Sequence, residues 1–360
     1  MRRPSPQPTP RRLTARQIDI GVAIALGLFT GGLCFFARLC VYPGPGDFIW
    51  ALATAQELLS GKDPYAFQPS SVQVPYPLPV ALFGLLFLPF GLVSGPLAGA
   101  LFFGSSSGVL AYAIARSGER WRLLMFATPV YLYALVFAQW SPLIVASWFI
   151  PVLAPLLTLI KPHIALPVAL NRLTRPGLLL AAAVLAISLL LDPTWPWRWL
   201  GMLGEYQRMI ALFTLPAGWM LLIALRYWRD ERARLLLGMA VLPFRGSYDL
   251  LALWLIPRSA WEMATLVALS WLPLAIDHHA FFAVQPAWSV PLLFIPCLIF
   301  VILHGMRQRG HAPGRLARPS AGSVAEPGAW PEERRRSSPQ GVAAAEQPPR
   351  NAETDATIVG

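Results

Sequence analysis

Asp47 is isolated in apolar sequence: between Gly21 and Trp50 the only other charged residue is Arg38. It follows the Pro43-Gly44-Pro45-Gly46 run and opens the helical pattern FIWALATAQELL. A carboxylate placed there can cap the helix, or it can take a proton from a hydroxyl as a general base. The two roles are compatible at a membrane interface. Further along, Gln139 and Lys161 interrupt apolar sequence, each close to a proline. An ionisable side chain at membrane depth costs roughly 3 kcal/mol on insertion scales, so each one needs an account. Lys161 reads either as a snorkelling cation or as a partner for a lipid phosphate. Arg245 carries the same two readings, with Tyr248 and Asp249 beside it in RGSYD. Gln139 can satisfy backbone freed near Pro142 or hydrogen-bond a sugar hydroxyl. Asp63, in GKDPY, reads as a turn former, because Asp-Pro favours turn initiation. His163 and the DHH cluster at 277–279 lack a metal partner set, and no Gly-rich phosphate loop, serine elbow or CxxC pair occurs. Neither a metal nor a cofactor is expected.

These residues need a scaffold, and composition names its class. Of 360 residues, 56% are hydrophobic and 13% charged, against roughly 25% charged in an ordinary soluble domain. Apolar runs of 16 to 22 residues recur from Ile18 to Leu303, long enough to cross a hydrocarbon core of about 30 Å. Short alternating segments of a β-barrel are absent. The expectation is an all-α polytopic integral membrane protein of the cell membrane, with about nine to eleven transmembrane helices. Spans read at about 17–38, 78–93, 97–115, 122–138, 176–191, 212–226, 259–276 and 287–305. The net charge of +11 is nearly all arginine, clustered near the N-terminus, in RYWRDERAR (226–234) and after Met306. That is a positive-inside pattern, not a nucleic-acid surface. Cys34, Cys40 and Cys297 have neither metal nor disulfide spacing.

The organisation follows. Residues 1–16 and 307–360 read as disordered cytoplasmic tails, and 17–306 as one transmembrane domain. The long polar loop 40–79 then falls on the extracytoplasmic side. Within it, Phe48, Ala51, Leu52, Ala55, Leu58 and Leu59 recur with helical spacing, which suits an amphipathic helix lying in the interface and ended by Gly61. RGSYD splits the apolar stretch between Arg234 and Pro257 into two short halves, a pattern of paired half-helices lining a cavity. Simple alternation of spans leaves either RSGERWR (116–122) or RYWRDERAR on the outer side.

The ordered set Asp47-Phe48, Gly61-Lys62-Asp63-Pro64-Tyr65 and Tyr76-Pro77 resembles glycosyltransferase family 87. Ala138-Gln139-Trp140-Ser141-Pro142 matches the family's G-Q motif with Ala for Gly; Lys161-Pro162 matches its K-P; the 243–249 turn echoes a later one. The order and spacing cover residues 20–260 or so. The resemblance implies a GT-C-like helical bundle that transfers mannose or a related sugar. The donor would be a polyprenyl-phosphate sugar and the acceptor a glycan or glycolipid hydroxyl, with membrane lipids as further partners. Asp47 would be catalytic. Substrate would be held by Asp63, Tyr65, Tyr76, Gln139, Lys161, His163, Arg245, Tyr248 and Asp249. The alternatives are a transporter or lipid-linked-sugar flippase without transferase activity, and a non-catalytic membrane subunit.

Overall fold

The computed structural model describes residues 14–65, 76–203, 208–214, 217–277, 279 and 286–310. The tail segments 1–13 and 311–360, the middle of the first loop and His278 lie outside the described residues. Arg16 and Arg307, assigned by sequence to the tails, are already helical.

Helices are the regular structure of the described residues, together with one isolated antiparallel bridge between Met209 and Phe244. Helix α1 (Ala15–Cys40) starts at a Thr14–Gln17 capping box and packs along α4 (Gly95–Ser117). Gly27 and Gly31 meet Gly104 and Ala100 backbone, and Gly108 meets Ala23, so the two helices run antiparallel at close range. Between them come α2 (Ile49–Leu59) and α3 (Ala81–Val93). A 3-10 segment (Arg120–Ala127) leads into α5 (Pro129–Val136). Then follow four helices bounded by prolines: α6 (Ser141–Ala146), α7 (Ala154–Ile160), α8 (Pro162–Ala169) and α9 (Arg175–Leu191). Helix α10 (Trp195–Met202) bends 94° away from α9. A 3-10 helix (Gly218–Tyr227) precedes α11 (Glu231–Val241), and another (Ser247–Leu255) precedes α12 (Ala260–Ile276). Helix α13 (Ile295–Gly310) closes the described chain.

Three helices are long and apolar enough to cross a membrane: α1, α4 and Val290–Gln308, or four if the bent α9–α10 pair is one span. Their lipid-like surface is plain in α1, where Ile24, Leu28, Phe29 and Phe36 are exposed. The all-α expectation holds among the described residues.

One end of the bundle is an arginine cluster. Arg120 pairs with Asp19 at the start of α1, Arg172 with Glu231, and Arg258 with Asp230. Arg232 donates to the Ile256 and Pro257 carbonyls. Arg122 is fully buried and donates to the Trp254, Leu255 and Pro257 carbonyls at 3.0, 3.4 and 2.8 Å. A guanidinium can serve several carbonyls at once because its five donors are fixed in a fork. It thereby caps the orphaned end of the 247–255 helix. The RSGERWR and RYWRDERAR segments therefore share one end with the start of α1. Short helices fill the middle of the described chain.

From that end, α11 rises for eleven residues and the 247–255 helix returns over nine. At 1.5 and 2.0 Å per residue these are about 16 and 18 Å long. Both are half-helices; the turn between them carries Arg245, and Tyr248 and Asp249 open the second.

The first loop departs from expectation in two ways. Helix α2 buries Trp50, Ala51, Leu52, Ala53, Thr54 and Ala55 in succession, so its first turn and a half has no polar face to lie at an interface. Gly84 of α3 admits this: a Cβ there would lie 1.8 Å from the Ala51 carbonyl oxygen. The second departure is the cap. A 3-10 turn (Gly46–Phe48) precedes α2, whose N-cap is Phe48 with no side-chain hydrogen bond. Asp47 does not cap the helix. Gly61 does end it, at φ +66°, with the Lys62 amide reaching back to the Glu57 carbonyl.

Candidate functional site

The site starts from how the chain holds Asp47. Gly46 sits at φ +68°, where a Cβ would lie 2.4 Å from the Phe137 carbonyl oxygen, so only glycine fits this approach. The Asp47 amide donates to that carbonyl at 2.9 Å. Buried Arg38 adds a second staple, donating to Gly44 and Pro43 oxygens on one side and to Val136 on the other. The loop bearing Asp47 is thus pinned to the turn between α5 and α6. That turn is made by Ala138 at φ +48°, a left-handed conformation uncommon for a residue with a side chain. It points Gln139, fully buried, at Asp47.

A chain of polar contacts follows. Gln139 Nε2 donates to Asp47 Oδ2. Lys161 Nζ donates to Gln139 Oε1 at 2.8 Å and pairs with Asp249 Oδ1 at 2.8 Å. His163 Nε2 lies 3.6 Å from Asp249 Oδ2, which also accepts the Arg245 amide at 3.1 Å. Lys161 is 3% exposed and sits over the Tyr248 ring at 5.1 Å and the Tyr76 ring at 6.0 Å. Its backbone breaks helix between α7 and α8, as the residue before a proline must. Ser141 Oγ donates to the Tyr248 carbonyl at 2.7 Å, tying the two turns together.

Asp47, Tyr76, Lys161, His163, Arg245 and Tyr248 line one cavity of about 230 Å³. Gln139 and Asp249 stand behind that lining, reached through Lys161. Burial is the largest influence on Asp47 and pushes its carboxyl above the usual carboxylate range, against the pull of Lys161, the Gln139 hydrogen bond and Arg245. A carboxylate raised in this way is a stronger base than an exposed one.

Asp63 and Tyr65 stand elsewhere. Asp63 accepts the Tyr65 amide at 2.9 Å, forming the expected turn, and pairs with Arg198 of α10. The Arg198 hydrogen bond is the main cause holding its carboxyl below the ordinary value. Tyr65 is buried with Leu78 and Trp195, and the Arg198 guanidinium lies 4.9 Å from its ring centre. Neither residue lines the cavity, although Trp199, which packs on their cluster, does.

Among the lining residues that the sequence reading did not single out are Trp199 and Arg208. Arg208 looks like an ordinary surface arginine until the Met209–Phe244 bridge is seen. In an antiparallel pair, the neighbours of a bridged couple stand opposite each other, so Arg208 faces Arg245 across the bridge. Both arginines open on the cavity.

Elsewhere in its wall are Ile160, Leu166, Leu203 and Leu242, so a few polar groups converge at one side of an apolar chamber. Among the described residues no group of three His, Cys, Asp or Glu side chains could hold a metal ion. The arrangement brings one carboxylate, two guanidinium groups and an apolar wall to one cavity, with Arg208 also donating to the Leu203 carbonyl at 3.4 Å. In comparisons with family models, curated proteins and solved structures, nothing matches this chain.

Proposed function

We propose that this chain is a polytopic membrane glycosyltransferase with a GT-C-like architecture. It moves a sugar, mannose or a related hexose or pentose, from a polyprenyl-phosphate donor to a hydroxyl of a glycan or glycolipid. The observation that carries the reading is the shared cavity, in which the Asp47 carboxylate and the Arg208–Arg245 pair face one apolar chamber. A donor of this kind has an anion, a reactive carbon and a long apolar chain, and the three chemistries of the wall suit those parts.

The reaction is a single displacement with inversion. Asp47 accepts the proton of the acceptor hydroxyl, whose oxygen forms the new bond to the anomeric carbon. The bond from that carbon to the phosphate oxygen breaks, and its electron pair leaves with the lipid phosphate. Arg208 and Arg245 stabilise the departing charge through paired donors suited to phosphate. Lys161 and Arg245 were the sequence candidates for that task, and of the two the Lys161 ammonium is bonded to Asp249 and Gln139.

Sidedness follows from charge. The arginine cluster at one end of the bundle is the cytoplasmic end under the positive-inside rule. Asp47 lies beyond the far end of α1, which supports a cavity open toward the extracytoplasmic face. The half-helices α11 and 247–255 recess its floor below that face, since each falls short of a hydrocarbon core of about 30 Å.

The test uses membranes carrying the chain and a radiolabelled polyprenyl-phosphate sugar. Transfer of label to an acceptor is expected, and Arg208→Gln or Arg245→Gln should raise the donor KM by roughly tenfold to a hundredfold, the worth of a charge-assisted hydrogen bond. Label that crosses the membrane still joined to its lipid would contradict the reading and favour a flippase.

A further inference from the structure

We infer that Lys161, held by Asp249, is a positioning residue that locks the side-chain amide of Gln139 so that its NH2 group, and not its carbonyl, faces Asp47. The inference rests on the reading of Asp47 as the base. Its warrant is the donor inventory. A lysine ammonium has three donors and no acceptor, and Nζ stands 2.8 Å from Gln139 Oε1. The amide oxygen is therefore committed to Lys161, and only the NH2 end is left for Asp47. An amide of this kind is otherwise free to turn over, since its two ends have nearly the same shape. Asp249 completes the lock, pairing with Nζ at 2.8 Å while its other oxygen takes the Arg245 amide. Lys161 is 3% exposed, Gln139 and Asp249 no more than 1%, so water does not compete for these bonds.

The consequence is one-sided. A locked NH2 group can serve the ionised carboxylate but cannot accept a hydrogen bond from a protonated one. A freed amide serves both forms, by turning its oxygen toward the protonated carboxyl. The lock thus favours the form of Asp47 able to take a proton. It works against burial, which favours the other form. The remaining charges that bear on Asp47 are Arg38 of α1, Arg245 and Asp249 of the half-helix turn, and beside it the Tyr133 phenol of α5.

The experiment titrates Asp47 by infrared difference spectroscopy on the purified full-length protein, assigning its band by subtraction of Asp47→Asn. Lys161→Met removes both the charge and the lock, and the ionisation midpoint should rise by about 2 pH units. Lys161→Met combined with Asp249→Asn leaves no buried charge unpaired and removes mainly the lock. Here the midpoint should rise by about 1 pH unit. Transfer assayed with saturating donor should follow, its acid limb moving to higher pH by the same amount. A double variant whose midpoint stays within a few tenths of the wild-type value overturns the inference, as does a transfer rate that falls equally at every pH. The infrared reading needs no turnover. If it moves as expected while Asp47→Asn retains full transfer, the positioning stands and the base assignment fails.

Discussion

Replacing Arg122 with methionine tests whether the arginine end of the bundle supports the half-helix that carries Asp249. Arg122 is completely buried, and its Nη atoms donate to the Trp254 and Pro257 carbonyls at 3.0 and 2.8 Å, with a longer contact to Leu255. Its Nε is bonded to Glu119, which is partly exposed and can be hydrated when released. Methionine fills much of the volume but supplies no donor. The Trp254 and Leu255 carbonyls at the end of the 247–255 helix would then be buried without this donor, while the Pro257 carbonyl keeps its bond from Arg232. At about 1–3 kcal/mol per group left unsatisfied, the loss comes to roughly 4 kcal/mol. That magnitude belongs to the small class of severe substitutions. With about 2 °C of Tm per kcal/mol for a chain of this size, the detergent-solubilised variant should melt roughly 8 °C below wild type. Arg120→Met is the control from the same segment. Its partner is Asp19, but its own side chain is 56% exposed, and exposed pairs contribute about 0–1 kcal/mol. Equal melting of Arg122→Met and Arg120→Met would refute the argument that buried carbonyl capping holds this end together.

The other predictions concern the site and its surroundings. Ala138→Gly should leave Tm within a few degrees, because relief of the left-handed backbone, about 1 kcal/mol, offsets the loss of a buried methyl group, about 0.8 kcal/mol. Ala138→Val should abolish folded protein in size-exclusion chromatography, since a β-branched residue is a severe outlier at that φ. Asp63→Asn should keep transfer within a few-fold of wild type and cost at most about 1 kcal/mol in a melting assay, because its pair with Arg198 is solvent-exposed. Transfer should increase with pH as the raised Asp47 carboxyl ionises, with a midpoint above the ordinary carboxylate range. Stability moves the other way. A carboxyl whose folded pKa lies above its unfolded value stabilises the fold at low pH, and that contribution is lost as pH rises toward the folded pKa. Both profiles should lose this feature in Asp47→Asn.

Much of the site was legible because polar residues are conspicuous in apolar sequence. Asp47, Gln139, Lys161, Arg245 and Asp249 were each singled out that way, and the structure joins them although they are separated by as much as 202 positions. What a single chain could not reveal was how they pair. Lys161 read as a phosphate partner because Asp249 is distant in sequence and nothing in composition brings the two together. Arg208 was invisible for the related reason that one backbone bridge, Met209 to Phe244, decides which arginine faces the cavity.

The helices were easier than their ends. Prolines stand at the starts of α6, α7 and α8, but Asp47 was read as a cap because the 3-10 turn between Gly46 and Phe48 is not visible in a helical pattern. Helix α2 looked one-sided because its small residues, Ala53 and Thr54, carry weak hydropathy signals while packing as closely as the large ones. Topological parity was undecidable by counting spans. Contacts such as Arg232 with Ile256 and Pro257 show what no count of spans could, that distant basic segments meet at one end.

Asp47→Asn tests the claim that Asp47 is the general base. Asp47 is not the α2 cap, so the substitution removes no capping bond. Asparagine fills the same space and can still bond to Gln139 if its own amide turns to present oxygen. The measurement is single-turnover transfer from radiolabelled polyprenyl-phosphate sugar bound before acceptor is added, with donor affinity measured in parallel. The expected result is a transfer rate lower by roughly 10²–10⁴-fold, the range for losing a general base, with donor affinity almost unchanged. A folded Asp47→Asn protein that transfers sugar at near wild-type rate would contradict the claim.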